Sequence, residues 1–266
     1  MKRLLLLFAI CGLVTIVAFA QTKENRIVSD FTGINASSIF DITVAKGNTE
    51  SLTIEADDNV MQYVRSEVRN GVLHLYLDNR QEVKNVKTLK AFLVMKNLNM
   101  VKLSGTCKLT ANDLFISDKF KIECSGASNL TLNVNANELS IETSGATKIM
   151  IKANVNGSTY FNVSGSSKIR GELKTTNVNF DLSGTSLIEL SGSAADISVN
   201  ASGTSNFNAE NFIVKTATIE SSGVCNVSVN VTDVLKVNSS GLSSVNYKGS
   251  PSVEMNNSRS TKINKK

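Results

Sequence analysis

The stretch VSGSSKIRG, residues 163–171, has near-copies on both sides. Thr143-Ser144-Gly145-Ala146-Thr147-Lys148-Ile149 precedes it, and Leu182-Ser183-Gly184-Thr185-Ser186-Leu187-Ile188 follows it. Ser-Gly pairs end at Gly105, Gly126, Gly145, Gly165, Gly184, Gly203, Gly223 and Gly241, with successive spacings of 21, 19, 20, 19, 19, 20 and 18 residues. Self-similarity at a fixed period marks a stacked-repeat architecture and is read before any local feature.

Alignment on the glycine exposes two apolar columns. Four residues before it stand Val101, Ile122, Ile141, Phe161, Phe180, Val199, Ile219 and Val237; four after it stand Leu109, Leu130, Ile149, Ile169, Ile188, Phe207, Val227 and Val245. Around both columns the pattern alternates with period two, as in Leu139-Ser140-Ile141-Glu142 and Ile149-Met150-Ile151-Lys152. The glycine is therefore flanked by strands with one buried face. A second corner falls near Asn154 to Gly157, Thr175 to Asn177, Ser193 to Ala195 and Asn230 to Asp233, where composition turns polar and small.

Two or three short strands wrapping round per repeat make one coil of a parallel β-helix, with equivalent positions stacked about 4.8 Å apart. Glycine suits the corner because it accepts positive φ and lets coils approach closely. The preceding Ser, and the Ser or Thr two residues after Gly, are placed for hydroxyl ladders or local bonds to backbone. A sandwich or barrel fits less well, since hairpin dipeptides are scarce within the array, Asn156-Gly157 being the main exception. The expected fold is thus all-β: a single-stranded parallel β-helix of about eight regular coils over 101–250. An N-terminal β-rich cap occupies 21–100 and a polar basic tail 251–266. Pro251, the single proline, suits a chain leaving the ladder.

Within 27–100, Phe40–Val44 and Ser51–Glu55 alternate and read as strands joined by a hairpin-like turn at Lys46-Gly47-Asn48. Asp57-Asp58 reads as an N-cap for a short helix carrying Val60, Val64 and Val68 and ending at Asn70-Gly71. Val72–Leu77 and Ala91–Met95 read as further strands. Such a segment would cover the open end of the coil stack.

Residues 1–20 read as an export signal: Lys2-Arg3, an apolar run from Leu4 to Val17, and Ala18-Phe19-Ala20 ahead of Gln21. The run is shorter than the roughly 20 residues a spanning helix needs, and no later segment comes close. Cys11 raises a lipoprotein alternative, but apolar residues rather than a polar tail follow it. Export fits a periplasmic, outer-membrane surface or extracellular location.

The formal net charge of +5 falls by two when Lys2 and Arg3 are removed, and the remaining basic residues are scattered, apart from Lys262, Lys265 and Lys266. That tail reads as a solvated end, and no nucleic-acid footprint is expected. Cys107 and Cys225 sit six coils apart, roughly 29 Å at the usual strand spacing, so they cannot pair. Cys107 and Cys124 flank one corner on adjacent coils, where free buried thiols are expected. The one histidine, His74, reads as a strand residue, and a zinc site has no support.

One row invites a catalytic reading. Three residues before each glycine from Gly126 onward stand Glu123, Glu142, Asn162, Asp181, Asn200, Glu220 and Asn238 on an outward face. Adjacent carboxylates could bind Ca²⁺ or share a proton, as in polysaccharide lyases and hydrolases. Against this, Asp181 lies between two asparagines, no basic catalytic partner recurs beside the row, and the chain has no Trp for sugar stacking. Phosphate-loop and triad readings fail for want of a P-loop Lys and of a histidine near a candidate serine.

Phe31-Thr32-Gly33-Ile34-Asn35, the Phe-x-Ile-x-Val strand at 40–44 and the serial Ser-Gly coils together resemble the head GIN-domain family of putative autotransporter adhesins, a domain of unknown function common in Bacteroidetes. The resemblance spans about 27–250. It implies a right-handed β-helix and a secreted or cell-surface location, and it carries over no functional residues. The preferred reading is a non-enzymatic, adhesin-like rod whose partner is an unspecified protein or polysaccharide surface. The alternative is a polysaccharide lyase or hydrolase using the carboxylate row. No catalytic, cofactor-binding or metal-ligating residue is assigned, no cofactor is implied, and no oligomeric state is set.

Overall fold

The computed structural model describes residues 21–78, 83, 86–257 and 260–266; the expected export signal, Cys11 included, lies outside them. The N-terminal elements are β1 (Gln21–Arg26), β2 (Gly33–Ala36), β3 (Asp41–Lys46), β4 (Ser51–Asp57), α1 (Asp58–Met61), β5 (Val64–Arg69), β6 (Val72–Leu77), β7 (Leu89–Met95) and β8 (Met100–Leu103). The array runs through β9 (Lys108–Cys124), β10 (Asn129–Thr143), β11 (Lys148–Val155), β12 (Ser158–Val163), β13 (Lys168–Lys174), β14 (Asn177–Leu182), β15 (Leu187–Ala201), β16 (Asn206–Ser221) and β17 (Asn226–Ser239). It closes with β18 (Ser244–Lys248), β19 (Ser252–Asn257) and β20 (Lys262–Lys265).

From β8 onward every pairing is parallel, giving a β-solenoid of about 9 turns. The register joins the columns read from the sequence. On the trailing wall, which leaves each glycine corner, Leu109, Leu130, Ile149, Ile169, Ile188, Phe207, Val227 and Val245 are successive partners. On the leading wall, which enters it, Val101, Ile122, Ile141, Phe161, Phe180, Val199, Ile219 and Val237 follow one another. All of these are buried. Midway up the stack Phe161 and Phe180 overlap at 4.5 Å between ring centroids, and Phe207 meets Phe180 edge-on at 4.8 Å from the opposite wall.

The corner depends on glycine for two separate reasons. All eight repeat glycines have φ between 69° and 94°, a region that side chains disfavour. A Cβ on any of them would also lie 2.4–2.7 Å from a carbonyl oxygen of the coil before. That oxygen accepts a hydrogen bond from the residue after the next glycine, for example Ala146 N–H to Gly126 O and Ser166 N–H to Gly145 O, both 2.7 Å. Ser38 holds the same place in the first turn with φ 78°, and Gly105 stacks on it.

The hydroxyls complete the corner. Ser128, Ser167, Ser186 and Ser205 are buried and donate to the carbonyl three residues back at 2.7–2.9 Å. Cys225 replaces that serine and points its Sγ at Ser222 O, 3.2 Å away. Ser164 and Ser202, just before their glycines, donate to carbonyls of the previous coil at 3.0 and 3.2 Å. Spacing varies where β9 and β16 carry extra residues, at Asn112-Asp113 and Glu210 to Phe212.

The cap departs from the sequence reading in two places. β3 and β4 do not form a hairpin; β7 lies between them, parallel to β3 and antiparallel to β4. A helix ending at Asn70-Gly71 is also absent, since α1 stops at Met61 and Val64–Arg69 is a strand antiparallel to β6. Asn70 and Gly71, with φ of 51° and 73°, form its turn. Asn-Gly favours that two-residue hairpin, and pairing with the regular β6 outweighs a four-residue valine period. Asp57 does not cap α1 with its side chain; its buried carboxylate accepts N–H bonds from Lys87 and Thr88 at 2.7 and 3.1 Å.

The cap's outer strands carry charge, which blunts a sheet edge. Glu55 on β4 is gripped from both neighbours, by Lys23 of β1 at 3.1 Å and Lys90 of β7 at 3.3 Å. At the other end the chain stays in the ladder past Pro251: β19 pairs with β17 and β20 with β18. The tail is therefore strand, although its residues remain largely exposed. Its last residue is anchored, because Lys266 and Lys248 both pair with Glu210 and hold that carboxyl down at about 2. Met255, stacked on Val237 in the leading column, is half exposed, as no described strand covers its other side.

Gly165→Ala and Gly71→Ala separate the two demands on glycine. Both residues have positive φ, worth about 1–3 kcal/mol of strain when substituted, but only at Gly165 would the Cβ meet backbone, 2.5 Å from Gly145 O. Urea denaturation should show Gly165→Ala losing clearly more stability than Gly71→Ala; equal losses would remove close stacking from the account.

Candidate functional site

The carboxylate row predicted from the sequence does lie on the outer face of the leading wall. Glu123 and Glu142 are register partners there, followed by Asn162, Asp181, Asn200, Glu220 and Asn238. With Lys102, Ser144 and Ser164 the first of them line a shallow groove of about 310 Å³. Alternation along each strand puts these residues outward while their neighbours fill the core.

The groove's charges are already compensated. Glu123 receives Lys102 Nζ at 2.6 Å and Lys121 Nζ at 2.7 Å, and Lys121 also reaches Glu142 at 3.4 Å. The hydrogen bond from Lys102, helped by that from Lys121, holds the Glu123 carboxyl below its usual range. A proton-sharing acid pair needs the opposite shift. Higher up, Asn200 Nδ2 donates to Asp181 Oδ1 at 3.3 Å, the amide–carboxylate bonding of a structural ladder. Among the described residues no three His, Cys, Asp or Glu side chains gather as a metal site.

The other singled-out residues have structural places. His74 sits in β6 beside Asn35, whose Nδ2 is 3.4 Å from its Nδ1. Cys107, Cys124 and Cys225 are free and buried. Burial pushes the Cys124 thiol up to about 12, so it resists forming a thiolate.

A second outer surface went unnoticed in the sequence. Three residues after the glycine, the trailing wall carries Lys108, Asn129, Lys148 and Lys168 in register. Lys108 faces Asp41 at 3.2 Å, but among the described residues no ion pair ties Lys148 or Lys168 to a carboxylate. The signal was present in the repeat alignment, where lysine recurs at one offset; counted along the chain, the same charges look scattered.

Fold and surface together define an elongated parallel β-solenoid with a short cap of mixed parallel and antiparallel strands and two charged outer walls. The family described as "Putative auto-transporter adhesin, head GIN domain" matches residues 30–172 and 154–251, and the chain belongs to it. Among solved structures it is similar to a "putative adhesin" from Parabacteroides merdae, 19% identical over 92% of this chain and 96% of that one, TM-score 0.68. It is also similar to a "putative lipid binding protein" from Parabacteroides distasonis, 20% identical over 92% and 96%, TM-score 0.68. A "putative adhesin" from the same species is 19% identical over 93% and 97%, TM-score 0.65. At such identities the likeness is one of fold. Comparison with curated proteins found no match.

The lysine cradle around Glu123 makes a direct prediction. In a pH titration followed by carboxyl NMR, Glu123 should titrate below an ordinary glutamate, and Lys102→Ala should raise it. An elevated value in the intact protein would reopen the acid–base reading of this groove.

Proposed function

We propose that the protein is an exported, adhesin-like interaction module that presents its outer walls to a surface partner and performs no catalysis. The observation that carries this reading is the state of the leading-wall groove. Its best-placed acid, Glu123, is locked between two lysines, and the chain's one histidine, His74, stands three strands away in the same row, beyond Lys102 and Asn35. A carboxylate held ionised by ammonium groups is a poor proton donor and a weak base, whereas hydrolytic glycoside cleavage requires the first and eliminative cleavage the second.

Family membership supports the same reading, as its description names an adhesin head. Fold alone never confers activity, so the argument rests on the walls. Stacked coils present rows of side chains at fixed spacing on nearly flat sheets, an arrangement suited to extended partners. The description of one neighbour as lipid binding finds little support inside this prism, whose interior is filled by columns of aliphatic side chains and the Phe161–Phe180–Phe207 cluster.

Purified protein from residue 21 onward should bind saturably to bacterial or host-matrix surfaces, and it should release no reducing ends or unsaturated products from a panel of uronic-acid polymers, with or without Ca²⁺. Turnover abolished by Glu142→Gln would establish the enzyme reading instead. Absence of saturable binding to every surface would defeat adhesion.

A further inference from the structure

From the trailing wall we infer that β11 and β13 form a binding face for an acidic polysaccharide, with Lys148 and Lys168 as the residues that contact its anionic groups. This inference rests on the interaction reading above and names its partner class.

The two lysines are direct register partners on adjacent parallel strands, which places their stems about 4.8 Å apart. Like charges so placed destabilise a sheet. Elsewhere on the trailing wall the repeat avoids that cost by setting opposite charges side by side, as in Lys108 with Asp41, Lys152 with Glu172, and Arg170 with Glu189, and on the leading wall the paired acids Glu123 and Glu142 are bridged by Lys121. Lys148 and Lys168 break the rule. Lys168 acts on Glu189 through space, but Arg170 already holds that carboxylate. The pair thus has the features of a cation site whose counter-ion is supplied from outside.

The surroundings select among anions. Lys148, Lys168 and Arg170 border a shallow depression of about 300 Å³, with Asn129 and Thr131 as flanking polar groups and Met150 in its middle. Met150 is 59% exposed, an apolar patch sized for the C–H face of one sugar ring and far too small for acyl chains. A membrane surface is disfavoured for that reason. Single-stranded nucleic acid is disfavoured too, because its binding uses aromatic platforms and no aromatic residue borders this depression. A linear polyanion is favoured because the cations follow one another along the solenoid axis, Lys148 and Lys168 on adjacent coils and Lys108 in the same row beyond Asn129. The anionic group is a carboxylate or a sulfate, two sources of one chemistry.

The test uses polygalacturonate and dextran sulfate as probes, neutral dextran as control, and protein from residue 21 onward. At least one charged polymer should bind saturably, with affinity falling as salt rises. Lys148→Ala combined with Lys168→Ala should weaken it about tenfold or more, whereas Lys236→Ala on the opposite wall should leave it unchanged. The double variant should melt no lower than the parent, since a repulsion has been removed. No binding to either charged polymer, equal weakening by Lys236→Ala, or stronger binding to anionic vesicles or a single-stranded oligonucleotide would overturn the inference. Cell-surface binding kept in full by the double variant would also overturn it while leaving the interaction reading intact; loss of surface binding by the parent itself would sink that reading.

Discussion

The close approach of one glycine corner to the next is the constraint on which the structure depends. At each step a backbone N–H just past the glycine reaches the carbonyl of the previous corner at 2.7–2.9 Å, through space that any Cβ would occupy. Because that bond fixes the vertical spacing at one edge, both walls leaving the edge are held in register. Register in turn sets like over like, so that aliphatic residues four positions from the glycine on either side become continuous buried columns. The hydroxyl two residues after the glycine closes the turn locally, and a thiol serves in its place at Cys225.

Much of this was legible in the sequence because the determining signals are local and repeated eight times. An apolar column survives the substitution of Phe161 for Ile141 or Phe207 for Ile188, since only side-chain volume changes. The cap was less legible because its strand order is not local. β7 inserts between β3 and β4, and no pattern within residues 40–55 announces a strand arriving from residue 89. Valines at 60, 64 and 68 satisfy a helical period and a strand alternation equally. Asn70-Gly71 decides between them, serving as a hairpin turn and not a helix end. The final strands were missed because the Ser-Gly signature lapses after Gly241 while the period-two alternation continues through Ile263.

The candidate site shows the same division. The carboxylate row was found because acids recur at one offset, and its neutralisation was hidden because Lys102 meets Glu123, and Lys121 meets Glu142, from the coil before, 21 residues away. Reading charge by column makes the two walls distinct: ion pairs compensate Glu123 and Glu142 on the leading row, while among the described residues Lys148 and Lys168 have no ion-paired carboxylate on the trailing one. In a stacked fold a surface is read across coils, and a charge acquires meaning from the residues one period away.

Distances between spin labels on the trailing wall test the central claim most directly. Cysteine substitutions at Asn129, Asn206, Asn226 and Lys262, in a background with the native thiols replaced by serine, place labels at one offset in different coils. In-register stacking predicts separations from Asn129 of about 19, 24 and 34 Å for four, five and seven coils at the usual strand spacing. A set of distances that fails to grow in proportion to coil number would contradict the solenoid and everything built on it.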